Sequence, residues 1–306
     1  MRKPLKTILV GVGALFGVVL VGGGGFVFAQ TRAFDQAVQK KYDVPLPPVV
    51  RSTDPAVIAR GKHLAESVGA CATADCHGAD LAGGKTIVLG PLGNVNAPNL
   101  TSAGALAQYS DGEVARTIRH GIKRDGTTVR LMPSQEFGWL SLDDVSAIVS
   151  YLRTLPSLTR ATGATEIGVL GKVMDRLDKV PFDIARRIDH AARIKEVAPV
   201  AEPTPRYGEY LARACRGCHG DTLSGGPIPG APPSMAIPRN VTPHVTGLQS
   251  WTFEDFVRMC ETGTSKDGRK LDPMMPYESL SKMNDTEKRA LWAFLQTVPP
   301  VEFGKR

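Results

Sequence analysis

Two short clusters that pair cysteines with a histidine are the residues of this chain best suited to chemistry. In the second cluster, two residues separate Cys215 from Cys218, and His219 follows at once. This Cys-x-x-Cys-His spacing is typical of covalent haem attachment, in which both thiols add to one porphyrin and the adjacent imidazole binds its iron. A disulfide or half of a zinc site is the alternative, although no second cysteine pair stands at zinc-ribbon spacing.

The first cluster has a wider cysteine pair. Four residues separate Cys71 from Cys76, and His77 follows. We predict that the longer loop bulges and still presents both sulfurs to a second haem. Two alternatives stay open: a single thioether through Cys76, or a disulfide between Cys71 and Cys76 without haem.

Each haem iron needs a second axial ligand, and two methionines have matching positions. Met132 lies 55 residues after His77 and Met275 lies 56 residues after His219, each directly before a proline. Met274 is an alternative to Met275 as this ligand. We prefer Met275, because Pro276 directly follows it and stiffens the loop. An imidazole and a thioether fill both axial positions of an iron, so the sequence predicts an electron carrier without catalytic residues.

An internal repeat positions these residues. Residues 57–156 and 205–299 share Cys-His-Gly-x-x-Leu-x-Gly-Gly, Asn-x-Thr and Met-Pro segments in the same order. Helix-cap signals also recur, with capping boxes at Ser110 and Thr252. We therefore predict an all-α fold of two tandem domains, at 56–157 and 205–302, with a partly helical connector at 158–204 and a tail at 303–306.

The N-terminal region predicts a location. Residues 7–29 carry no charge and follow Arg2, Lys3 and Lys6, which favours a transmembrane helix within a signal anchor at 1–32. A cleaved signal peptide is the alternative. Basic flanks stay in the cytoplasm, so we expect a single pass through a bacterial inner membrane, a proline-containing spacer at 33–55 and periplasmic domains.

Composition excludes one function class. The net charge of +7 is concentrated near the N-terminus, and no basic stripe with interleaved aromatic residues is present, so nucleic-acid binding is not expected. Aromatic residues make up only 6% of the chain, against 32 glycines and 23 prolines. We therefore expect loop-rich domains whose cores are short of large side chains, and a bound prosthetic group would fill them.

Together these residues resemble the membrane-anchored dihaem c-type cytochromes, which have two tandem class I cytochrome c domains and are similar to cytochrome subunits of periplasmic dehydrogenases. The resemblance implies two covalently bound haem c groups and electron transfer on the periplasmic side. It suggests redox partners: a membrane or periplasmic dehydrogenase, a quinol-oxidising complex or a terminal oxidase. It assigns covalent attachment to Cys71, Cys76, Cys215 and Cys218, and the axial iron positions to His77, Met132, His219 and Met275.

A dihaem peroxidase that reduces hydrogen peroxide is the alternative function, and it would need a releasable iron ligand. The remaining candidate residues have simpler interpretations. Cys260 is predicted to be a buried hydrophobic residue. Four histidines without counterparts in the other copy are predicted to be hydrogen-bonded or at the surface, namely His63, His120, His190 and His244.

Overall fold

A computed structural model of the chain describes residues 21–192, 197–229, 231 and 235–306. Residues 21–37 are helical. The further α-helices in the described ranges are α1 (Pro55–Glu66), α2 (Asp111–His120), α3 (Leu142–Leu152), α4 (Val169–Arg176), α5 (Pro205–Ala212), α6 (Arg216–His219), α7 (Phe253–Thr262), α8 (Tyr277–Ser281) and α9 (Asp285–Leu295). Short 3-10 helices cover Gly90–Leu92, Ala105–Gln108, Ser134–Glu136, Ala185–Arg187 and Arg213–Cys215.

The first and last helices of each repeat pack against each other at a glycine. Helix α1 contacts α3, and α5 contacts α9. A Cβ atom on Gly61 would lie 1.9 Å from the carbonyl oxygen of Ala147, and one on Gly208 would lie 1.9 Å from that of Ala290. Both crossings therefore require glycine, because any side chain would push the helix backbones apart.

The helix ends follow the predicted cap signals. The capping box at Ser110 is complete, since its hydroxyl accepts from the Glu113 amide while the Glu113 carboxylate accepts from the Ser110 amide. Thr252 forms the matching box at the start of α7. Gly121 and Gly263 end these two helices in the left-handed region, with φ of 64° and 61°. Both predicted boxes are confirmed.

Buried side chains of both repeats belong to one hydrophobic cluster. Leu64 and Val145 contribute from the first repeat, and Leu211 and Leu291 from the second, each no more than 4% exposed. Burying a side chain of this size stabilises the fold by roughly 1.5–3 kcal/mol. The two repeats consequently share a core at the faces where α1, α3, α5 and α9 meet.

The all-α prediction is wrong, because the fold includes a small antiparallel sheet. Its strands are β1 (Ile87–Val88), β2 (Gly93–Val95) and β3 (Glu166–Ile167), in the order β1-β2-β3. Gly93 pairs with Ile167, and a Cβ atom on Gly93 would lie 2.1 Å from the Glu166 carbonyl oxygen. Strands of two or three residues are too short to show an alternation of apolar and polar residues in the sequence. Strand β3 also lies in the connector, so the sheet depends on a contact between distant segments.

The predicted transmembrane helix requires a second correction. No helix in the described part of the chain is both long enough and apolar enough to cross a bilayer. Residues 7–20 of the predicted span lie outside the described residues. The helical residues 21–29 are exposed, whereas Phe34 near the end of this helix and Val38 just after it are 2% and 5% exposed and pack with Phe182 of the connector.

Candidate haem sites

The second cysteine motif spans two short helices. Cys215 ends the 3-10 helix Arg213–Cys215, and Cys218 and His219 lie on α6. Gly220, with φ of 80°, ends α6 and turns the chain. The Gly225 amide then donates to the His219 carbonyl oxygen over 2.9 Å. This tight coil directs the side chains of the motif toward a common cavity.

The first motif reaches a similar arrangement through a longer loop. The His77 amide donates to the Cys71 carbonyl oxygen over 3.0 Å, which closes the loop around its four intervening residues. The Gly83 amide donates to the His77 carbonyl oxygen over 2.9 Å, as Gly225 does to His219. No disulfide joins Cys71 to Cys76 in this structure. Despite the wider spacing, Cys71, Cys76 and His77 all line the cavity.

A backbone carbonyl fixes the orientation of each motif histidine. His77 Nδ1 lies 2.9 Å from the Pro98 oxygen, and His219 Nδ1 lies 2.7 Å from the Arg239 oxygen. A carbonyl only accepts, so Nδ1 carries the proton in both rings and Nε2 keeps its lone pair. Burial lowers the pKa of each histidine, which keeps both imidazoles neutral near pH 7. Neutral Nε2 atoms of this kind are suited to binding iron.

The Asn-x-Thr segments support these carbonyls, a role that the sequence alone did not reveal. Asn99 directly follows Pro98, and its side-chain oxygen accepts from the Thr101 amide over 2.8 Å while its amide donates to the Leu158 carbonyl. Asn240 makes the same pair of bonds, to Thr242 and Val301. The recurrence of Asn-x-Thr after each motif was the available signal for this function.

One leucine in each motif adopts a conformation that is rare outside glycine. Leu81 and Leu223 have φ of 57° and 61° and are at most 1% exposed. The Leu81 carbonyl accepts from the Leu100 amide, and the Leu223 carbonyl accepts from the Val241 amide. Left-handed conformations of this kind cost about 1–3 kcal/mol and persist where packing enforces them. Here the left-handed leucine directs its carbonyl to the hydrogen bond that links each histidine loop to its Asn-x-Thr segment.

The two predicted methionine ligands face the same cavity as the cysteine motifs. This cavity has a volume of about 1510 Å³ and is lined by Met132 and Met275 together with both histidines and the four motif cysteines. Met132 and Met275 are partly buried, whereas Met274, which also borders the cavity, is 54% exposed. The structure thus brings all eight predicted site residues to one cavity, distributed over its two repeats.

The sulfur atoms of Cys71 and Cys215 are buried. Burial raises the pKa of Cys71 to about 12 and that of Cys215 to about 12, so both remain protonated thiols near pH 7. Neutral thiols, neutral imidazoles and thioethers make a donor set without net charge. Such a set, in a cavity walled by residues such as Leu100, Val114 and Phe137, fits a porphyrin with iron at its centre.

The remaining histidines and Cys260 lie where they were predicted. His63 Nε2 lies 2.7 Å from a carboxylate oxygen of Glu287, and His244 Nδ1 lies 2.8 Å from the Thr246 hydroxyl. His120 and His190 contact each other, with 3.2 Å between their Nδ1 atoms. Cys260 is fully buried in the core.

The first repeat matches a known protein family. Residues 58–156, about a third of the chain, match the family model for cytochrome c. The chain contains a cytochrome c domain. Domains of this family carry haem c covalently, and Cys71, Cys76 and His77 lie within the matched range and line the cavity. The second repeat lies outside the matched range.

Similar proteins are cytochrome subunits of dehydrogenases. The cytochrome c subunit of gluconate 2-dehydrogenase from Pantoea cypripedii is 37% identical over 104 residues, covering 31% of this chain and 24% of that protein. The fructose dehydrogenase cytochrome subunit from Gluconobacter japonicus is 34% identical over 122 residues, covering 34% and 25%. The cytochrome c subunit of the quinone-dependent alcohol dehydrogenase from Gluconobacter oxydans is 35% identical over 104 residues, covering 31% and 22%. These matches span a quarter or less of each relative, and they support an electron-transfer subunit.

Proposed function

We propose that the chain is a dihaem c-type cytochrome whose two repeats each hold one haem c. The observation that carries the proposal is the cavity of about 1510 Å³, which both Cys-His motifs and both Met-Pro loops line. A single ligand pocket usually measures about 300–1,000 Å³, so this cavity has room for more than one large group. The matching His77 and His219 hydrogen bonds support equivalent roles in the two repeats.

Each repeat contributes the same functions in this proposal. The thiol pair would hold the porphyrin through thioether bonds, and the neutral Nε2 atom of His77 or His219 would be one ligand of the iron. Met132 or Met275 would be the other ligand, and thioether sulfur favours ferrous iron. The bound haem would supply one-electron oxidation and reduction. The apolar side chains that line the cavity would limit the rearrangement of water that accompanies each change of iron charge.

A dehydrogenase subunit is the proposed electron donor. Proteins similar to this chain are named as cytochrome subunits of gluconate, fructose and quinone-dependent alcohol dehydrogenases. We propose a donor of the same class, one that oxidises a small organic molecule. A membrane quinol-oxidising complex as donor and a terminal oxidase as acceptor remain proposals, as does a periplasmic location.

The haem count can be tested by mass. The full chain would be produced in cells that mature c-type cytochromes, and denatured samples would be analysed by haem staining and intact mass. We expect two covalent haems in the wild type and one in each of the paired variants Cys71→Ala with Cys76→Ala and Cys215→Ala with Cys218→Ala. Cys260→Ala is the matched control, because this cysteine lies outside both motifs, and it should keep two.

Two results would contradict the proposal. A wild-type mass with a single haem would restrict attachment to one repeat. A high-spin haem with peroxide turnover would favour the peroxidase alternative over a carrier. The variant Cys71→Ala alone addresses the open question of the first motif: retention of its haem through Cys76, with an altered absorption spectrum, would indicate that Cys71 normally forms a thioether.

A further inference from the structure

Glu136 belongs to the first repeat but lies against the cysteine motif of the second. It ends the 3-10 helix Ser134–Glu136, four residues after Met132. A Cβ atom built on Gly217 would lie 3.0 Å from Cδ and 3.0 Å from Oε1 of Glu136. Gly217 stands between Cys215 and Cys218, so the carboxyl group occupies space that a side chain in the motif would fill. Both Glu136 and Gly217 line the cavity.

The groups around this carboxyl group come mostly from the second repeat. Burial raises the pKa of Glu136 to about 7, and the negative charge of Asp221 adds to the rise. The Gly217 amide and the charge of Arg216 act in the opposite direction. The Cys215 and Cys218 sulfurs also lie within electrostatic reach of the carboxyl group. Arg306 interacts with Cys218 from the C-terminal segment.

Reduction of a nearby iron changes the balance at such a carboxyl group. One added electron makes the cavity more negative by one charge, and a partly buried carboxylate feels that charge with little screening. The carboxylate is then less stable relative to its protonated form. Uptake of one proton from solvent restores the original net charge.

We infer that Glu136 is a redox-linked proton site for the haem of the second repeat, an inference that rests on the proposed function. When a haem held in that repeat gains one electron from the proposed dehydrogenase donor, the Glu136 carboxylate would take one proton from water. On oxidation the proton returns to water, and no other bond changes. Asp221 is exposed, so water screens its charge and it is the weaker candidate for this role.

The inference predicts a pH-dependent reduction potential. In redox titrations of the mature full chain, one wave should move to lower potential as the pH rises through neutrality. The slope of this shift cannot exceed one proton per electron. That limit is a tenfold change in the reduction equilibrium per pH unit, which corresponds to a change in potential of about 59 mV per pH unit. In Glu136→Gln the same wave should no longer depend on pH in this range. It should lie above the wild-type potential at high pH, because the amide never carries a negative charge.

Glu278→Gln is the matched control. Glu278 lies on α8 of the second repeat, three residues after Met275, and is exposed. Its substitution should leave both waves as in the wild type. A reduced-minus-oxidised infrared spectrum provides an independent readout: a protonated-carboxyl band that shifts in heavy water should appear in the wild type and be absent from Glu136→Gln. Glu136→Ala serves as a second variant, and unchanged absorption of the first haem verifies folding.

The outcomes separate this inference from the proposed function. Two haems with two waves, both independent of pH near neutrality, would overturn the role of Glu136 and leave the dihaem proposal intact. A pH-dependent wave that persists in Glu136→Gln would place the proton elsewhere and would also overturn it. A mass with no haem on Cys215 and Cys218 would instead reject the dihaem proposal itself.

Discussion

The Tyr210 hydroxyl donates a 2.6 Å hydrogen bond to Oδ2 of Asp144, which joins helix α5 of the second repeat to α3 of the first. Both residues are buried, at 3% and 4% exposure. Arg60 of α1 approaches the same carboxylate from the first repeat, with Nε and Nη2 at 3.0 and 3.2 Å from its two oxygens. Asp144 therefore accepts from both repeats at once.

Glu287 repeats this arrangement from the opposite side. It occupies the third position of α9, as Asp144 does in α3. Its Oε1 accepts from the Tyr207 hydroxyl over 3.2 Å within the second repeat, and its Oε2 accepts from His63 across the interface over 2.7 Å. The two carboxylates thus form an approximately two-fold polar network between the repeats.

The first prediction concerns the hydroxyl of this network. Tyr210→Phe keeps the ring but leaves a buried carboxylate oxygen of Asp144 without its nearest donor. We expect a loss of about 1–3 kcal/mol in the free energy of unfolding, measured by denaturant titration of the mature protein. Tyr277→Phe is the control, because the Tyr277 hydroxyl makes no hydrogen bond within the described residues, and it should change little. Equal losses in both variants would argue against the network.

The second prediction concerns the glycine at each helix crossing. Gly208→Ala would place a Cβ atom 1.9 Å from the Ala290 carbonyl oxygen, so α5 and α9 must separate. We expect a loss of stability of about 1–3 kcal/mol or more in thermal unfolding, and a similar loss for Gly61→Ala. Gly23→Ala, where a Cβ atom meets nothing within 4 Å, should have little effect. Wild-type stability in Gly208→Ala would contradict the tight crossing.

The third prediction is a pH dependence of stability. Burial opposes ionisation of Glu287, but the hydrogen bond from His63 and the charge of Arg60 outweigh it and hold the Glu287 pKa below its ordinary value. A carboxylate with a lowered folded-state pKa stabilises the fold above the unfolded pKa of about 4.3. This contribution should be lost as the pH falls through the folded-state value.

Denaturant titrations at several acidic pH values can measure this effect. Glu287→Gln should be less stable than the wild type at neutral pH, and the difference should shrink as the pH falls below about 4.3. Glu302→Gln, at an exposed position, is the control and should parallel the wild type. A constant gap between Glu287→Gln and the wild type across the acidic range would show that this carboxylate does not set the dependence.

The fourth prediction distinguishes the neighbouring methionines. Met275→Ala should remove about half of the methionine-to-iron absorption of the oxidised protein and lower the potential of one wave, because thioether sulfur favours ferrous iron. Met132→Ala should do the same for the other wave. Met274→Ala should leave the spectrum unchanged, since that side chain is 54% exposed. If Met274→Ala instead removed the absorption, the ligand assignment would move by one residue.

The sequence by itself determined the features whose signals lie within a few residues of each other. The Cys-His motifs, the Met-Pro loops and the boxes at Ser110 and Thr252 depend on local spacing and local hydrogen bonds, which any fold of the chain must respect. The buried position of Cys260 followed from its place on a repeated helix. These signals located the candidate site and its eight principal residues.

The tertiary structure decided what depends on segments far apart in the chain. Strand β3 pairs with β2 from about 70 residues away, so the all-α prediction was wrong. No helix among the described residues is long and apolar enough to cross a bilayer. The approach of Glu136 to Gly217 and the bond from Tyr210 to Asp144 likewise join different repeats. Such contacts form only when the two repeats pack together. The residue spacing within one repeat does not indicate which side chains of the other repeat it will contact.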